Sequence, residues 1–164
     1  MNVEREMGKI VKLAKKKLKA EGVLPPFLLI QFDDDELGIL PCLYSDNRSK
    51  DLFFRFVREQ IFPEIMPKGV FFATEASLIE RERGVEIDPN RRVDTYEDKI
   101  DILTVMYIGE FQRKSIGYKI LREGDTVVGF ERLQKLDADK PEEIVDNLIA
   151  PYFDKVASGK VKLN

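Results

Sequence analysis

The sequence contains no histidine, no tryptophan and a single cysteine, Cys42, among its 164 residues. Histidine is the commonest general base and metal ligand in proteins, because its side chain titrates near neutral pH. Its absence excludes Ser-His-Asp and Cys-His nucleophile systems, zinc sites built on histidine and histidine-ligated haem. Any chemistry of this chain therefore has to come from carboxylate, lysine, tyrosine or hydroxyl groups.

Features that would direct the chain to a membrane or an oxidising compartment are also missing. No apolar run approaches the roughly 18 residues of a membrane-spanning helix. The N-terminal residues alternate charged with apolar side chains, unlike a signal peptide. One cysteine cannot form an intramolecular disulfide, which suits a reducing compartment. These features predict a cytoplasmic protein without membrane association, in which Cys42 is a small buried residue of a strand.

Two classes of ligand are disfavoured by what the sequence lacks. Neither the G-x-G-x-x-G nor the G-x-x-x-x-G-K-[ST] pattern of phosphate-binding loops occurs, so no nucleotide cofactor is predicted. The net charge is -3 and the isoelectric point is about 5.3, whereas nucleic-acid-binding domains are usually basic. We therefore expect neither a cofactor nor a nucleic-acid partner.

The residues that are present are those of a folded domain. Hydrophobic residues make up 43% of the chain and charged residues 35%, enough for a core in a chain of this length. We expect one globular domain over residues 1–164.

Hydrophobic periodicity predicts three helices and six strands in the order α-β-β-α-β-β-β-β-α. The predicted elements are a helix Val3–Glu21, strands Phe27–Phe32 and Leu37–Leu43, a helix from Asp46 to about Phe62, strands Val70–Ile79, Ile102–Phe111, Ser115–Leu121 and Thr126–Leu133, and a helix starting at Pro141. Strands that follow one another as hairpins favour an α+β fold. We expect a single, mostly antiparallel sheet of five to six strands, with the helices packed on one face.

Helical spacing also predicts which residues of each helix are buried. The predicted buried residues are Val3, Met7, Ile10, Val11, Ala14 and Leu18 in the first helix, Leu52, Phe53, Phe56, Val57 and Ile61 in the second, and Val145, Leu148, Ile149, Tyr152 and Val156 in the third.

A charged segment of about twenty residues, Glu80–Lys99, is predicted to be a structureless loop, and loops of this length are commonly either functional or mobile. Asp88 and the acid-x-lysine unit Glu97-x-Lys99 have the composition of restriction-type nucleases. In those enzymes the acids hold a magnesium ion and the lysine orients the attacking water. The competing interpretation is an ordinary solvated loop.

Glu75 stands alone among apolar residues of a predicted strand, and Glu110 has a comparable position in the strand expected to pair with it. Two neighbouring carboxylates can share a proton or bind a metal. The alternative is that each faces solvent or pairs with Lys114, Lys119 or Arg122. The candidate catalytic residues are Glu75, Glu97, Lys99 and Glu110, and the candidate metal ligands are Glu75, Asp88 and Glu97.

Two charged surface segments have both a functional and an ordinary interpretation. The hairpin tip Asp33–Glu36 is either a solvated turn or a site for a hard cation such as calcium or magnesium. Lys9, Lys12, Lys16 and Lys19 of the first helix either contact nucleic acid or face water while the helix packs on the sheet. We favour the solvated turn and the packed helix.

The segments 71–76 and 102–105 resemble uncharacterised small proteins of phages and other prokaryotic mobile elements, a group without an assigned activity. Phe53, Phe54 and Phe56 surround one helix more fully than one buried face requires, which is typical of an interaction surface. The leading hypothesis is a non-enzymatic protein that binds a protein partner or itself, for example as a homodimer. The alternative is a hydrolase or nuclease that uses Mg or Mn held by carboxylates.

Overall fold

In a computed structural model, which describes residues 1–79, 84–139 and 148–159, the chain folds as one antiparallel sheet with three helices. The helices are α1 (Val3–Glu21), α2 (Asn47–Phe56, continued by a π-helical segment Val57–Ile61 and a last turn Phe62–Ile65) and α3 (Ala150–Ala157); the strands are β1 (Phe27–Gln31), β2 (Leu37–Pro41), β3 (Gly69–Leu78), β4 (Ile100–Gly109), β5 (Arg113–Glu123) and β6 (Thr126–Arg132). The predicted α+β class and order of elements are confirmed.

The six strands are arranged in the order β2-β1-β3-β4-β5-β6, and all neighbours are antiparallel. Helix α2 connects β2 to β3, which then pairs with β1. The two-residue turn Gly124-Asp125 joins β5 to β6, and Gly124 has the positive φ of 62° that such a turn favours. This order leaves β2 and β6 at the two edges of the sheet.

The helices cover both faces of the sheet, so the prediction that they share one face is wrong. Helix α1 packs with Phe71 and Ala73 of β3, whereas α2 and α3 pack with Val70 and Phe72. Consecutive strand residues point to opposite faces, and a strand buried on both faces is continuously apolar. The run of apolar residues that begins β3 is therefore the local signal for two helical layers.

Helix α1 matches its prediction in both its bounds and its buried residues. The side chain of Asn2 accepts a hydrogen bond from the backbone N–H of Arg5 and caps the first turn. Gly22 ends the helix with φ 78°, and its N–H donates to the carbonyl of Leu18.

The predicted buried face of α2 is partly wrong. Phe54 and Val57 are fully buried, but Leu52 and Phe56 are 53% and 54% exposed. The π-helical segment follows, and the helix continues past Pro63 to Ile65, beyond the predicted end at about Phe62. Because a proline has no N–H for the carbonyl four residues earlier, a widened turn before it lets the helix continue to Ile65.

The predicted start of the last helix at Pro141, with Val145, lies outside the described residues. The described helix α3 begins at Ala150, and the rings of Tyr152 and Phe153 pack 5.1 and 6.3 Å from the ring of Phe62. None of the helices in the described ranges is long and apolar enough to cross a membrane.

The segment predicted as a structureless loop contains regular structure in its described part, residues 84–99. A 3-10 turn, Val93–Thr95, lies against β3. The guanidinium of Arg91 stacks 3.9 Å from the centroid of the Tyr96 ring and donates to the hydroxyl and carbonyl oxygens of Thr95, at 3.1 and 2.9 Å. The Arg91 guanidinium therefore binds groups of the loop itself.

Candidate interaction surface

Glu75 is part of a hydrogen-bonded ion pair that fastens the end of α1 to the sheet. Its Oε1 accepts from Nη2 of Arg122 at 2.7 Å, and its Oε2 accepts from the N–H of Leu24 at 2.8 Å. Arg122 also donates through Nη1 to the carbonyl of Gly22 at 2.8 Å. The Glu75 and Arg122 side chains are 25% and 21% exposed. This arrangement gives Glu75 a structural role, because both of its oxygens bind donors of the chain.

The loop candidates lie at the surface and use their polar groups locally. Oδ1 of Asp88 accepts from the N–H of Asn90 at 2.9 Å, which stabilises a turn. Glu97 is exposed. Nζ of Lys99 lies 3.6 Å from Oδ1 of Asp101, a residue of β4 that also approaches Arg122.

Glu110 and Glu75 lie near opposite ends of the β3–β4 ladder. Glu75 pairs with Leu103, whereas β4 ends at Gly109, which pairs with Gly69. At about 3.3 Å per residue, Gly69 and Glu75 are about 20 Å apart along β3. The structure therefore does not bring Glu75 and Glu110 together. Among the described residues, no three acidic or cysteine side chains lie close enough to hold a metal ion.

The acidic hairpin tip is tied to its surroundings through Asp35. Its Oδ2 accepts from the ammonium of Met1 at 2.6 Å, its Oδ1 accepts from Nε2 of Gln31 at 2.8 Å, and Lys68 lies 3.6 Å away. The hydrogen bonds from Met1 and Gln31 lower the pKa of Asp35 to about 2. Oε1 of Gln31 in turn accepts from the hydroxyl of Tyr107 at 2.8 Å, so the tip is anchored to the sheet.

The lysines proposed as a nucleic-acid surface are spread around α1. Nζ of Lys19 lies 5.9 Å from the centroid of the Phe130 ring on β6, and Nζ of Lys9 pairs with Glu6 at 2.7 Å. Lys12 and Lys16 are exposed. The helix packs on the sheet through its apolar stripe, as in the interpretation that we favour.

A cleft of about 600 Å³ lies between α1 and β5. Met7, Val11 and Ile116 form its apolar walls. The cations at its rim are already paired: Lys114 with Glu4, and Arg132 with both oxygens of Asp137 at 3.0 and 3.3 Å. The cleft therefore presents neutralised charge pairs to a ligand.

One edge of the sheet is formed by β2. The N–H of Cys42 donates to the carbonyl of Pro26, and the N–H of Phe32 donates to the carbonyl of Glu36. With the observed register, these bonds mean that even-numbered residues of β2 direct their backbone groups towards β1. Residues 37, 39 and 41 therefore direct theirs outwards, and the same alternation, continued past the end of β2, gives residue 43 the outward direction. In the part of the chain that the structure describes, no strand pairs with this side, which we call the β2 edge.

The missing N–H of Pro41 costs the sheet no hydrogen bond between β1 and β2. As an odd-numbered residue it faces outwards, so the bond that it cannot make belongs to the β2 edge. A proline inside a strand is tolerated in this place. Its position independently supports the assignment of residues 36–43 as the border of the sheet.

The side chains along the β2 edge form an exposed apolar strip, Leu37, Ile39 and Leu43, with exposed fractions of 38%, 71% and 78%. They share a face with Leu29, which pairs with Ile39. Helix α1 lies on this face but packs over β3, β4 and β6, so it leaves the strip uncovered. Residues 37–43 carry no charge. An open, apolar and uncharged edge is a template for pairing with another strand.

The opposite face of the same segment is half-buried, and Cys42, predicted to be a buried residue of a strand, is half-buried just beyond the end of β2. Cys42 packs in the cluster beneath α2, where burial raises the pKa of its thiol to about 12. Burial also raises the pKa of Tyr44 to about 12, and the Tyr44 ring lies 5.8 and 5.9 Å from the rings of Phe53 and Phe54. Because nucleophilic attack requires the thiolate, a raised thiol pKa disfavours a catalytic role for Cys42.

Comparison of the chain with protein-family models, with curated proteins and with solved structures returned no match. The candidate surface therefore depends on the geometry alone. Our sequence interpretation did not single out the β2 edge. Its signal was the run from Leu37 to Leu43, which has no charge and includes Pro41 within a predicted strand.

Proposed function

We propose that this chain is a non-enzymatic interaction module that binds a protein through the β2 edge. The observation that carries the proposal is the combination of outward backbone groups with the exposed strip Leu37, Ile39 and Leu43. When a strand is added to a sheet edge, main-chain hydrogen bonds supply affinity and alternate side chains supply specificity. The β2 edge offers both.

The proposal includes a location. A reducing cytoplasm suits a chain whose single thiol is half-buried and has no second cysteine to pair with. The resemblance of segments 71–76 and 102–105 to proteins of prokaryotic mobile elements extends the proposal to a prokaryotic cytoplasm.

The test compares two substitutions on opposite edges of the sheet. Ile39→Lys places a charge in the strip on β2, and Val128→Lys places the same charge at a half-exposed position of β6. A photoreactive group attached near each position, in cells that make the protein, identifies what contacts each edge. We expect protein cross-links from β2 that Ile39→Lys removes and Val128→Lys retains. Equal cross-linking from both edges, or none from β2, would overturn the proposal.

The alternative, a hydrolase or nuclease built on Glu75, Asp88, Glu97 and Glu110, has a separate test. A metal that binds only the folded state raises the melting temperature. We expect magnesium and manganese chloride to leave the melting temperature where sodium chloride of equal ionic strength leaves it. A rise specific to manganese that Glu97→Gln abolishes would favour the hydrolase instead.

A further inference from the structure

We infer that the partner of the β2 edge is a second copy of this chain, paired antiparallel through β2 about a two-fold axis. The inference rests on the proposed function of the β2 edge and specifies its occupant. Three independent properties of residues 33–48 carry it: the pattern of outward backbone groups, the position of the apolar side chains and the distribution of charge.

The backbone groups of the β2 edge complement those of a second copy. Leu37 and Ile39 of β2 have outward N–H groups, and Pro41 offers only its carbonyl. The same alternation, continued past the bond from Cys42 to Pro26, adds the N–H of Leu43. A two-fold axis beside residue 40 sets Leu37 opposite Leu43 of the second copy and Ile39 opposite Pro41. In this register every outward N–H of these residues meets a carbonyl. Only the carbonyl of Ile39 lacks a strand donor, because the residue opposite it is proline.

The side chains meet on one face. An axis perpendicular to the sheet keeps the same face of both copies on the same side, so the two strips of Leu37, Ile39 and Leu43 adjoin. Directly opposed apolar side chains in an antiparallel pair stabilise one another. The most exposed apolar side chains of β2 and the residues after it are thereby removed from water.

The charges favour the antiparallel arrangement over the parallel one. The acidic tip Asp33–Glu36 lies at one end of β2. Parallel pairing would set the two tips side by side, where like charges repel, whereas antiparallel pairing sets them at opposite ends. Each tip then lies beside residues 44–48 of the second copy. There Asp46 already caps α2 through Ser49, and Arg48 is exposed.

The resulting assembly is closed. Pairing two β2 strands makes one continuous sheet of both copies, with α1 of each copy on the same face. Each β2 edge is paired with the β2 edge of the other copy. Because such a two-fold contact uses the same surface of both copies, no β2 edge remains to bind a third copy. The expected species is therefore a dimer and not a filament.

The inference is tested by sedimentation velocity from about 1 μM to 1 mM, a range that brackets micromolar and weaker affinities. We expect the wild type and Val128→Lys to reach the dimer mass and Ile39→Lys to remain monomeric, with unchanged circular dichroism. A dimer that Ile39→Lys leaves intact would overturn the inference. A wild type that stays monomeric throughout would also overturn it, while β2 cross-links to another protein would still support the proposed function.

The register between the two β2 strands is tested by disulfide formation, which introduces no charge into the strip. Leu37→Cys with Leu43→Cys, in a Cys42→Ala background, sets two cysteines opposite each other across the axis, within disulfide reach. Mild oxidation is expected to give a covalent dimer, whereas Val128→Cys in the same background gives none. In the antiparallel register neither Leu37→Cys nor Leu43→Cys alone places two cysteines opposite each other, so a covalent dimer from Leu37→Cys alone would indicate parallel strands and overturn the antiparallel arrangement.

Discussion

The two edges of the sheet differ in how they are protected. At the β6 edge, the N–H of Leu133 donates to the carbonyl of Gly117, so Arg132 directs its backbone outwards. The Arg132 side chain bonds Asp137, and Lys15 lies 5.3 Å from the centroid of the Phe130 ring. Charged side chains therefore flank this edge. At the β2 edge the corresponding side chains are apolar, with Ile39 the clearest case.

This difference identifies which edge is available for pairing. Proteins commonly block edge strands with charge, proline or a covering element, because unprotected edges aggregate. Here the β6 edge has charge and an overlying helix, while among the described residues the β2 edge has only Pro41, which removes a single donor. This contrast is the reason for placing the proposed partner at the β2 edge.

The largest expected effect comes from loosening α1, the helix that covers the β6 side. Leu18 of α1 is fully buried against the sheet, and Leu18→Ala is expected to lower the free energy of unfolding by about 3 kcal/mol, because it leaves a cavity. Leu13→Ala, in the same helix but exposed, is expected to cost less than about 0.5 kcal/mol. Urea denaturation followed by circular dichroism measures both. Similar losses would mean that α1 is not packed as described.

A smaller effect is expected where the end of α1 is tied to the sheet. Glu75→Gln keeps the size of the side chain but removes the charge that binds Arg122 and Leu24. We expect a loss of about 1–2 kcal/mol in the free energy of unfolding, since the part-buried Arg122 loses one of the two carboxylate partners that the structure describes and keeps Asp101. Glu110→Gln, near the other end of the ladder, is the matched control and is expected to change little. A Glu75→Gln variant as stable as the wild type would contradict the structural role.

The protection of the β6 edge by lysine is tested by Lys15→Met. Nζ of Lys15 lies 3.6 Å from the centroid of the Tyr118 ring, and methionine keeps most of the aliphatic stem without the charge. The expected loss in the free energy of unfolding is about 0.5–1 kcal/mol. Lys16→Met, at an exposed position of the same helix, serves as the control. Equal free energies of unfolding for the two variants would mean that Lys15 does not stabilise this edge.

The smallest expected effect at neutral pH belongs to the β2 side and appears only in alkali. Burial disfavours the phenolate and raises the pKa of Tyr44 from its ordinary value of 10.0 to about 12 in the folded chain. Its titration therefore leaves stability unchanged below pH 10 and lowers it as the pH rises from 10 towards 12. Tyr44→Phe removes this contribution. Urea denaturation at pH 8 and 10.5 should show a smaller alkaline loss for Tyr44→Phe; parallel losses would refute the assignment.

Local patterns in the sequence predicted the elements well, and the reasons are visible in α1 and the last hairpin. Asn2 and Gly22 cap α1 through bonds within a few residues, and Gly124 supplies a positive φ on its own. Such signals are local, so they are readable without the fold. The buried face of α2 was predicted less well, because Leu52 and Phe56 have the same spacing as a buried stripe. Only packing against the sheet decides which side of that helix is covered.

The candidate site residues also show that local patterns can be read from the sequence, whereas contacts between distant residues cannot. Sequence reasoning proposed Glu75 and Glu110 as neighbours because both stand on strands expected to pair, but strand pairing alone does not specify register. The observed ladder sets Glu75 opposite Leu103, and that choice depends on which apolar residues meet across the whole sheet. A shift of register moves every side chain, so it is a collective property.

From the sequence alone follow the class of fold, the order of its elements and the exclusion of histidine chemistry, since each depends on residue types and short spacings. The order of strands and the two helical layers were decided only by tertiary structure, because they depend on contacts between distant residues. The same holds for the β2 edge. Residues 37–43 are uncharged wherever they lie, but they form an open border only because β3 pairs with β1, so that β2 has one neighbour.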